Sequence, residues 1–195
     1  MELSPLARER LEKIGALSEE ERARIKLSGE LDRLLSEYFT QRLGCDDLWR
    51  RLKAYKEEGK GLLVREAQRK LLEAIRLGDS DFDLKLKREA ILALETLKEE
   101  SKYGDFELGL NQLERLREAY REEKERAFNH LKQAMQRKVE LAARQLAQQG
   151  KAVDVEGSVE ANVRASQEWR DFLAQHERAY GEKFEALMAG LKELI

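Results

Sequence analysis

Helix-breaking residues are almost missing from one long segment of this chain. Among its 195 residues there is a single proline, Pro5, and the segment from Asp105 to Gln149 has one glycine, close to its start. Because proline and glycine interrupt helices most strongly, this segment of about 45 residues predicts one continuous α-helix, roughly 65 to 70 Å long. The segment from Ser158 to Ile195 is predicted to form a second rod of nearly the same kind.

Apolar residues recur every three or four positions in both rods, which indicates one buried stripe along each helix. The stripe of the first rod extends from Phe106 to Leu146, and that of the second from Trp169 to Leu194. Both stripes only approximate a heptad repeat, which favours short-range packing over a long regular supercoil. We expect residues 104–195 to form a long antiparallel, coiled-coil-like helical hairpin.

Shorter helices are predicted before the rods. Capping and turn residues stand at Ser4-Pro5, Ser18, Gly44, Gly59-Lys60-Gly61, Gly78, Asp79 or Ser80, and Tyr103-Gly104-Asp105. Ser18 and Glu21 have the spacing of a capping box, in which each residue satisfies a backbone N–H at the start of a helix. The sequence therefore predicts an all-α fold, with a cluster of short helices over residues 1–103 followed by the hairpin.

The helical period fails between the two rods, at residues 150–163. Valine and alanine fall on odd positions there, at Val153, Val155, Val159, Ala161 and Val163. Alternating β-branched residues favour short strands around a turn at Glu156-Gly157-Ser158. If the segment is a plain loop instead, Ser158 is placed to cap the last helix. The tip of the hairpin is thus predicted to be either a loop or a small β-hairpin.

Composition and charge limit the classes of function that this protein can have. Hydrophobic residues make up 42% of the chain and charged residues 39%, a balance too apolar for a disordered protein. The net charge of −2 gives no overall attraction to nucleic acid or to anionic lipid. Residues 45–78 carry nine basic and six acidic side chains, a local balance of +3, but both signs are interspersed as on solvated helix faces.

Two further features of the sequence indicate the cellular compartment. Cys45 is the only cysteine, which excludes an intramolecular disulfide and is typical of a reducing environment. The N-terminal residues lack the apolar core of a signal peptide, and no run approaches the roughly 18 apolar residues of a membrane span. We expect a cytoplasmic protein.

No pattern of catalytic or metal-binding residues is present. The two histidines, His130 and His176, are preceded three positions earlier by Ala127 and Leu173, so neither completes the Glu-x-x-His pair of a helical metal site. Glycine-rich phosphate loops and nucleophile elbows are also missing. Cys45 is interpreted as a small residue in a turn. We therefore expect no catalytic residue, metal or cofactor, and a protein that is not an enzyme.

Trp49 stands beside Arg50 and Arg51, a combination that is able to contact nucleic-acid phosphates. The alternative is that Trp49 packs at a corner between helices while the arginines extend into solvent. Nucleic-acid binding is therefore kept as a minor hypothesis.

Two parts of the chain resemble known helical modules. Residues 31–55 (LDRLLSEYFTQRLGCDDLWRRLKAY) resemble the short helical hairpins of bacterial SHOCT-type modules, with a helix, a small turn that contains Leu43, and an acidic-capped helix. Residues 105–195 are similar in outline to the hairpins of prefoldin- or GrpE-like cochaperones. No diagnostic residues carry either resemblance, so the sequence assigns no family.

The leading hypothesis is a structural or protein-interaction protein, an adaptor or scaffold that acts by helix–helix docking. Its expected interface is the apolar seam of the last helix with two valines of the tip: Trp169, Phe172, Leu173, His176, Tyr180, Phe184, Leu187, Met188, Leu191, Val153 and Val155. The last helix is apolar over more than one face, which favours a homodimer besides a protein partner of unknown identity. The alternative is a chaperone-like clamp that holds apolar clients at residues 152–163.

Overall fold

A computed structural model describes residues 18–147 and 155–195, and every regular element among them is an α-helix. The predicted all-α fold is confirmed. The helices are α1 (Glu19–Phe39), α2 (Cys45–Glu57), α3 (Leu62–Glu73), α4 (Asp81–Glu95), α5 (Tyr103–Ala147), α6 (Val155–Ala165) and α7 (Gln167–Glu193). The helix predicted to begin at Ser4-Pro5 lies outside the described residues.

Side-chain caps begin helices at the predicted positions. The Ser18 hydroxyl accepts a hydrogen bond from the Glu21 backbone N–H (3.2 Å), and the Glu21 carboxylate accepts one from the Ser18 N–H (2.8 Å). This pair forms the expected capping box at the start of α1. Ser80, of the two residues considered, caps α4 by accepting from the Asp83 N–H at 3.1 Å. Gly59 ends α2 with a φ of 79°, a left-handed conformation that favours glycine.

Helix α5 has 45 residues and is as long as the sequence predicts, at about 68 Å. It begins two residues earlier than expected, because Tyr103-Gly104-Asp105 forms its first turn instead of a loop. Asp105 favours this start, since a carboxylate near a helix N-terminus interacts well with the exposed backbone N–H groups.

The second rod differs from the prediction, because it is divided into α6 and α7. Ser166 marks the division: its hydroxyl accepts a hydrogen bond from the Trp169 N–H at 3.2 Å and caps α7, the role that Ser158 has in the loop alternative. Residues 155–163 are helical in α6 rather than extended or looped. Val155, Val159 and Val163 are four residues apart, so they fit a helix as well as an alternating strand. Residues 148–154, with Val153, lie outside the described part of the chain.

The chain divides into two compact units. One contains the described residues up to Ile75, Asp79–Tyr103 and Ile195; the other contains Arg76–Gly78 and Gly104–Leu194. The first unit holds helices α1 to α4, and the second is built from α5, α6 and α7.

The first unit is organised by a leucine-rich core. Helix α1 contacts α2 and α3, while α2, α3 and α4 contact one another. Core residues include Leu31, Leu34, Leu35, Leu48, Leu52, Ala67, Leu71, Ile91 and Leu94. Burial of one leucine side chain stabilises a fold by about 1.5 to 3 kcal/mol, so these contacts hold α1 and α3 side by side. The two helices form the walls of the groove described below.

Candidate functional site

Contacts between α5 and α7 follow a regular order. Gly109 of α5 lies against Leu191 of α7, and farther along α5 the ring of Phe128 packs on Trp169 with centroids 5.2 Å apart. Residue numbers that rise along α5 are thus paired with numbers that fall along α7. A Cβ placed on Gly109 would lie 2.6 Å from Cδ2 of Leu191, so the absence of a side chain permits this close approach.

Aromatic side chains form a continuous column in this seam. Phe172 stacks on Trp169 with ring centroids 5.4 Å apart and on His176 at 5.0 Å. His176 in turn stacks on Tyr120 of α5 at 4.8 Å and lies 4.6 Å from the ring of Tyr180. Offset and tilted rings at these distances add to the stability gained from burial alone. The column therefore joins α5 to α7 within the second unit.

His176 adds a polar link inside the seam. Its Nε2 is 2.9 Å from the backbone oxygen of Tyr120, and its Nδ1 is 3.4 Å from Oε2 of Glu123. Because a carbonyl oxygen can only accept a hydrogen bond, Nε2 donates to Tyr120. Burial, followed by the hydrogen bond and the negative charge of Glu123, raises the pKa of Tyr180. These groups fasten α7 to α5 and lie in a packed seam rather than in an open pocket.

Most residues of the interface predicted from sequence are used inside the chain. Buried residues among them are Trp169, His176, Tyr180, Phe184, Met188 and Leu191. Phe172, Leu173 and Leu187 are half-buried, Val155 begins α6, and Val153 lies outside the described residues. A partner can therefore reach the six buried side chains only if the α5–α7 contact opens.

Helix α6 also packs into the second unit. Val159 and Val163 are buried with Trp169, and half-buried residues of α5, among them Leu131 and Met135, pack against them. A salt bridge of 2.8 Å between Lys132 and Glu160 links the same helices at the surface. Val159 and Val163 of the predicted tip are therefore core residues.

An open groove in the first unit was not predicted from the sequence. It has a volume of about 970 Å³. It is lined by Ala23, Arg24, Leu27 and Ser28 of α1, by Leu62, Leu63, Arg65, Glu66 and Arg69 of α3, by Lys60 just before α3, and by Ile195. Leu62 is 79% exposed, the most exposed of the large apolar side chains in the described residues. The sequence contained a signal for this site, because Leu62 and Leu63 are adjacent and only one of them can face the core of a helix.

Trp49 packs at a corner of the first unit. Its indole Nε1 donates to the hydroxyl of Thr96 at 3.0 Å, which connects α2 with the residue after α4. Arg50 and Arg51 lie 3.2 Å and 3.5 Å from carboxylates. The aromatic and basic side chains are thus committed to contacts within the unit, and this arrangement gives no support to phosphate binding.

Cys45 is half-buried at the start of α2. Burial raises the pKa of its thiol, and the charges of Glu89 and Asp46 act in the same direction, although a hydrogen bond with Tyr38 partly opposes them. A raised pKa disfavours the nucleophilic thiolate. Among the described residues, no group of three or more His, Cys, Asp or Glu side chains is arranged to hold a metal ion. In the same part of the chain, none of the helices has the length and apolarity needed to cross a membrane.

Comparison with known proteins places the chain at the level of a family. No curated protein and no solved structure shows significant similarity to it. A model of a family of unknown function, DUF6657, matches residues 49–193, a range that starts in α2 and includes all of α3 to α7. Since this match covers most of the sequence, the chain belongs to the DUF6657 family.

Proposed function

We propose that this protein is a non-enzymatic helical adaptor that receives a helix of a partner protein in the groove between α1 and α3. The observation that carries the proposal is Leu62, a large apolar side chain that is 79% exposed at an open groove of about 970 Å³. Amphipathic helices bind to other proteins by laying their apolar face into such hydrophobic grooves. Exposed apolar surface at a groove is typical of a binding site.

The groove is a better docking site than the seam of α7. Apolar residues of the seam are already covered by α5, so a partner would have to replace existing contacts before it gained new ones. Leu62 has no such cover, and its burial by a partner would contribute about 1.5 to 3 kcal/mol. The predicted mechanism of helix docking is therefore kept, while its location moves from the last helix to α1 and α3.

A matched pair of leucine variants tests the adaptor function. Leu62→Ser removes the exposed apolar group from the groove, and Leu108→Ser removes a similar group, 60% exposed, from α5. Quantitative affinity purification from source cells should recover one defined protein with the wild type and with Leu108→Ser, and much less of it with Leu62→Ser. Equal recovery with both variants, or no defined protein with the wild type, would contradict the proposal.

We also infer that α5, α6 and α7 form the long antiparallel hairpin expected from the sequence. The opposite order of residues along the α5–α7 seam supports it, as does the packing of α6 beside both helices.

The chaperone-like clamp has less support. It requires apolar side chains at the tip that are free to hold a client, whereas Val159 and Val163 are buried in the second unit. An adaptor is expected to leave the aggregation of unrelated proteins unchanged. Suppression of citrate synthase aggregation by light scattering would favour the clamp.

The homodimer stays a prediction of the sequence. Of the residues that suggested it, Trp169, Phe184 and Met188 are buried within the chain, while Phe172 and Ile195 are half-buried. Light scattering after size exclusion measures the mass directly. A mass of twice 22.7 kDa supports the dimer, and 22.7 kDa at all concentrations contradicts it.

A further inference from the structure

The groove between α1 and α3 has walls that are already held in place. Leu31 of α1 and Ala67 and Leu71 of α3 are fully buried in the core beneath them. At the surface, the ammonium of Lys70 on α3 pairs with the Asp32 carboxylate on α1. A preformed site costs little conformational entropy when a ligand binds, so the shape of the groove is informative about its ligand.

Apolar side chains line both walls of this groove. Ala23 and Leu27 are four residues apart and therefore lie on one face of α1, while Leu62 and Leu63 stand at the first turn of α3. Such a lining matches the apolar stripe of an amphipathic helix, whose contacts recur at positions i, i+3 or i+4, and i+7. The lining of the groove therefore favours a partner helix that has an apolar face.

Charged groups of the groove are mostly basic. Four basic side chains and one acidic side chain line it, a local balance of +3. Arg69 lies 3.6 Å from Glu66, and Lys60 pairs with Glu58. Arg24 on one wall and Arg65 on the other are both exposed, and neither pairs with a carboxylate among the side chains that the structure describes. An arginine guanidinium binds a carboxylate with two parallel hydrogen bonds, so these two side chains suit acidic residues.

We propose that this groove recognises an amphipathic helix whose apolar stripe is flanked by aspartate or glutamate; the inference rests on the adaptor function and specifies its partner. A nucleic acid would satisfy the arginines through its phosphates, but those contacts make no use of an apolar lining. An anionic membrane offers a broad plane, whereas the exposed leucine and the two arginines converge on a groove between two helices. An acidic amphipathic helix satisfies both features.

Binding of two synthetic peptides to the full-length protein tests this partner class. Each is a fluorescein-labelled helix of about 14 residues, or four turns, with leucine at i, i+3, i+4 and i+7. One peptide carries glutamate beside the stripe, and its twin carries lysine at the same positions. Fluorescence polarisation should show that the glutamate peptide binds and that its affinity falls as the salt concentration rises. The affinity of the lysine peptide should be lower by about tenfold or more.

Charge reversal locates the contact. The double variant Arg24→Glu and Arg65→Glu should weaken binding of the glutamate peptide by about tenfold or more, because two attractive contacts become repulsive. The control is Arg137→Glu with Arg170→Glu, which makes the same change of net charge at exposed arginines of α5 and α7. The control should keep wild-type affinity, and circular dichroism should show that both double variants retain their helices.

The outcomes separate failure of the partner class from failure of the adaptor function. Equal binding of the two peptides, or equal loss in both double variants, would overturn the acidic partner while a Leu62-dependent complex from cells would still support the adaptor. If only vesicles with phosphatidylserine bind the groove, or only a second copy of this chain does, the acidic helix is again overturned. Loss of glutamate-peptide binding in Leu62→Ser but not in Leu108→Ser supports the proposal.

Discussion

At the scale of single residues, Glu95 ties together three parts of the first unit. This last residue of α4 is fully buried and accepts hydrogen bonds from the Gln68 amide of α3 (2.8 Å) and from the Lys102 backbone N–H (2.7 Å). The Lys98 ammonium lies 2.9 Å from the same carboxylate. Burial by itself would raise the pKa of Glu95, but the hydrogen bonds from Lys98, Gln68 and Lys102 outweigh it and lower the pKa.

This arrangement predicts that Glu95→Gln destabilises the protein in a pH-dependent way. At neutral pH we expect a loss of about 3 kcal/mol, since the variant removes the buried negative charge that lies 2.9 Å from the Lys98 ammonium. The folded pKa is below the unfolded value of about 4.3, so the contribution of Glu95 is complete above that value and is lost as pH falls through the folded pKa. Urea unfolding followed by circular dichroism should therefore show a difference from wild type that shrinks at acid pH.

Glu100→Gln is the matched control, because it removes the charge of an exposed carboxylate near the same segment. Its effect should stay within about 0.5 kcal/mol at every pH. A Glu95→Gln effect that is as small as this, or that does not change between neutral and acid pH, would show that the carboxylate is not held ionised.

Single residues also show which contacts cannot be predicted from the sequence. Helical spacing in the sequence places His176 in an apolar stripe, and the side chain is buried in the seam. Its hydrogen-bond acceptor is the backbone oxygen of Tyr120, 56 residues earlier in the chain. The groove shows the same limit, because Arg24 and Arg65 lie far apart in sequence and line one site only after α1 packs on α3.

At the scale of elements, the close approach of α5 and α7 at Gly109 predicts opposite effects of two Gly→Ala substitutions. In a helix, alanine is more favourable than glycine by about 1 kcal/mol. Gly181→Ala should show this gain, because an added Cβ meets nothing within 4 Å. Gly109→Ala should not show this gain in stability, because its Cβ would lie 2.6 Å from Cδ2 of the buried Leu191. Overpacking of this kind costs about 1 to 3 kcal/mol.

Thermal and urea unfolding measure both effects, and a double variant identifies the cause. Leu191→Ala removes the clashing atoms, so Gly109→Ala should be less harmful in that background than in the wild type. Equal stabilisation by Gly109→Ala and Gly181→Ala would show that α5 and α7 do not approach closely at this point.

Sequence periodicity predicted these helices with uneven success. It was sufficient for α5, where the spacing of apolar residues and the absence of breakers agree. It was ambiguous for α6, since valines four residues apart fit both a strand and a helix. Val159 and Val163 are buried against α5 and Trp169, and this packing favours the helix over the strand. The local sequence pattern does not show such long-range contacts.

At the scale of the whole molecule, burial along α5 predicts uneven local stability. Phe106, Leu110, Leu113 and Arg117 are almost fully buried, and the Arg117 guanidinium donates to the Leu77 carbonyl at 3.3 Å. Between residues 127 and 139 the large apolar residues are only half-buried. Hydrogen exchange followed by mass spectrometry should therefore show slower exchange at residues 106–117 than at 127–139, because local opening is easier where less apolar surface is buried.

Both segments belong to one continuous helix, so each serves as the reference for the other. Uniform exchange along α5 would indicate that the helix opens as one cooperative unit. Faster exchange at 106–117 would contradict the prediction.

The sequence by itself determined the all-α class, the continuous length of α5 and the capping box of α1, because each depends on residues close together in the chain. Tertiary structure alone decided which apolar residues remain exposed. It covers the last helix, where the sequence placed the interface, and it leaves Leu62 open beside Arg24 and Arg65. The physical reason is that local spacing shows that a helix has an apolar face, whereas the neighbouring helices determine whether that face is covered.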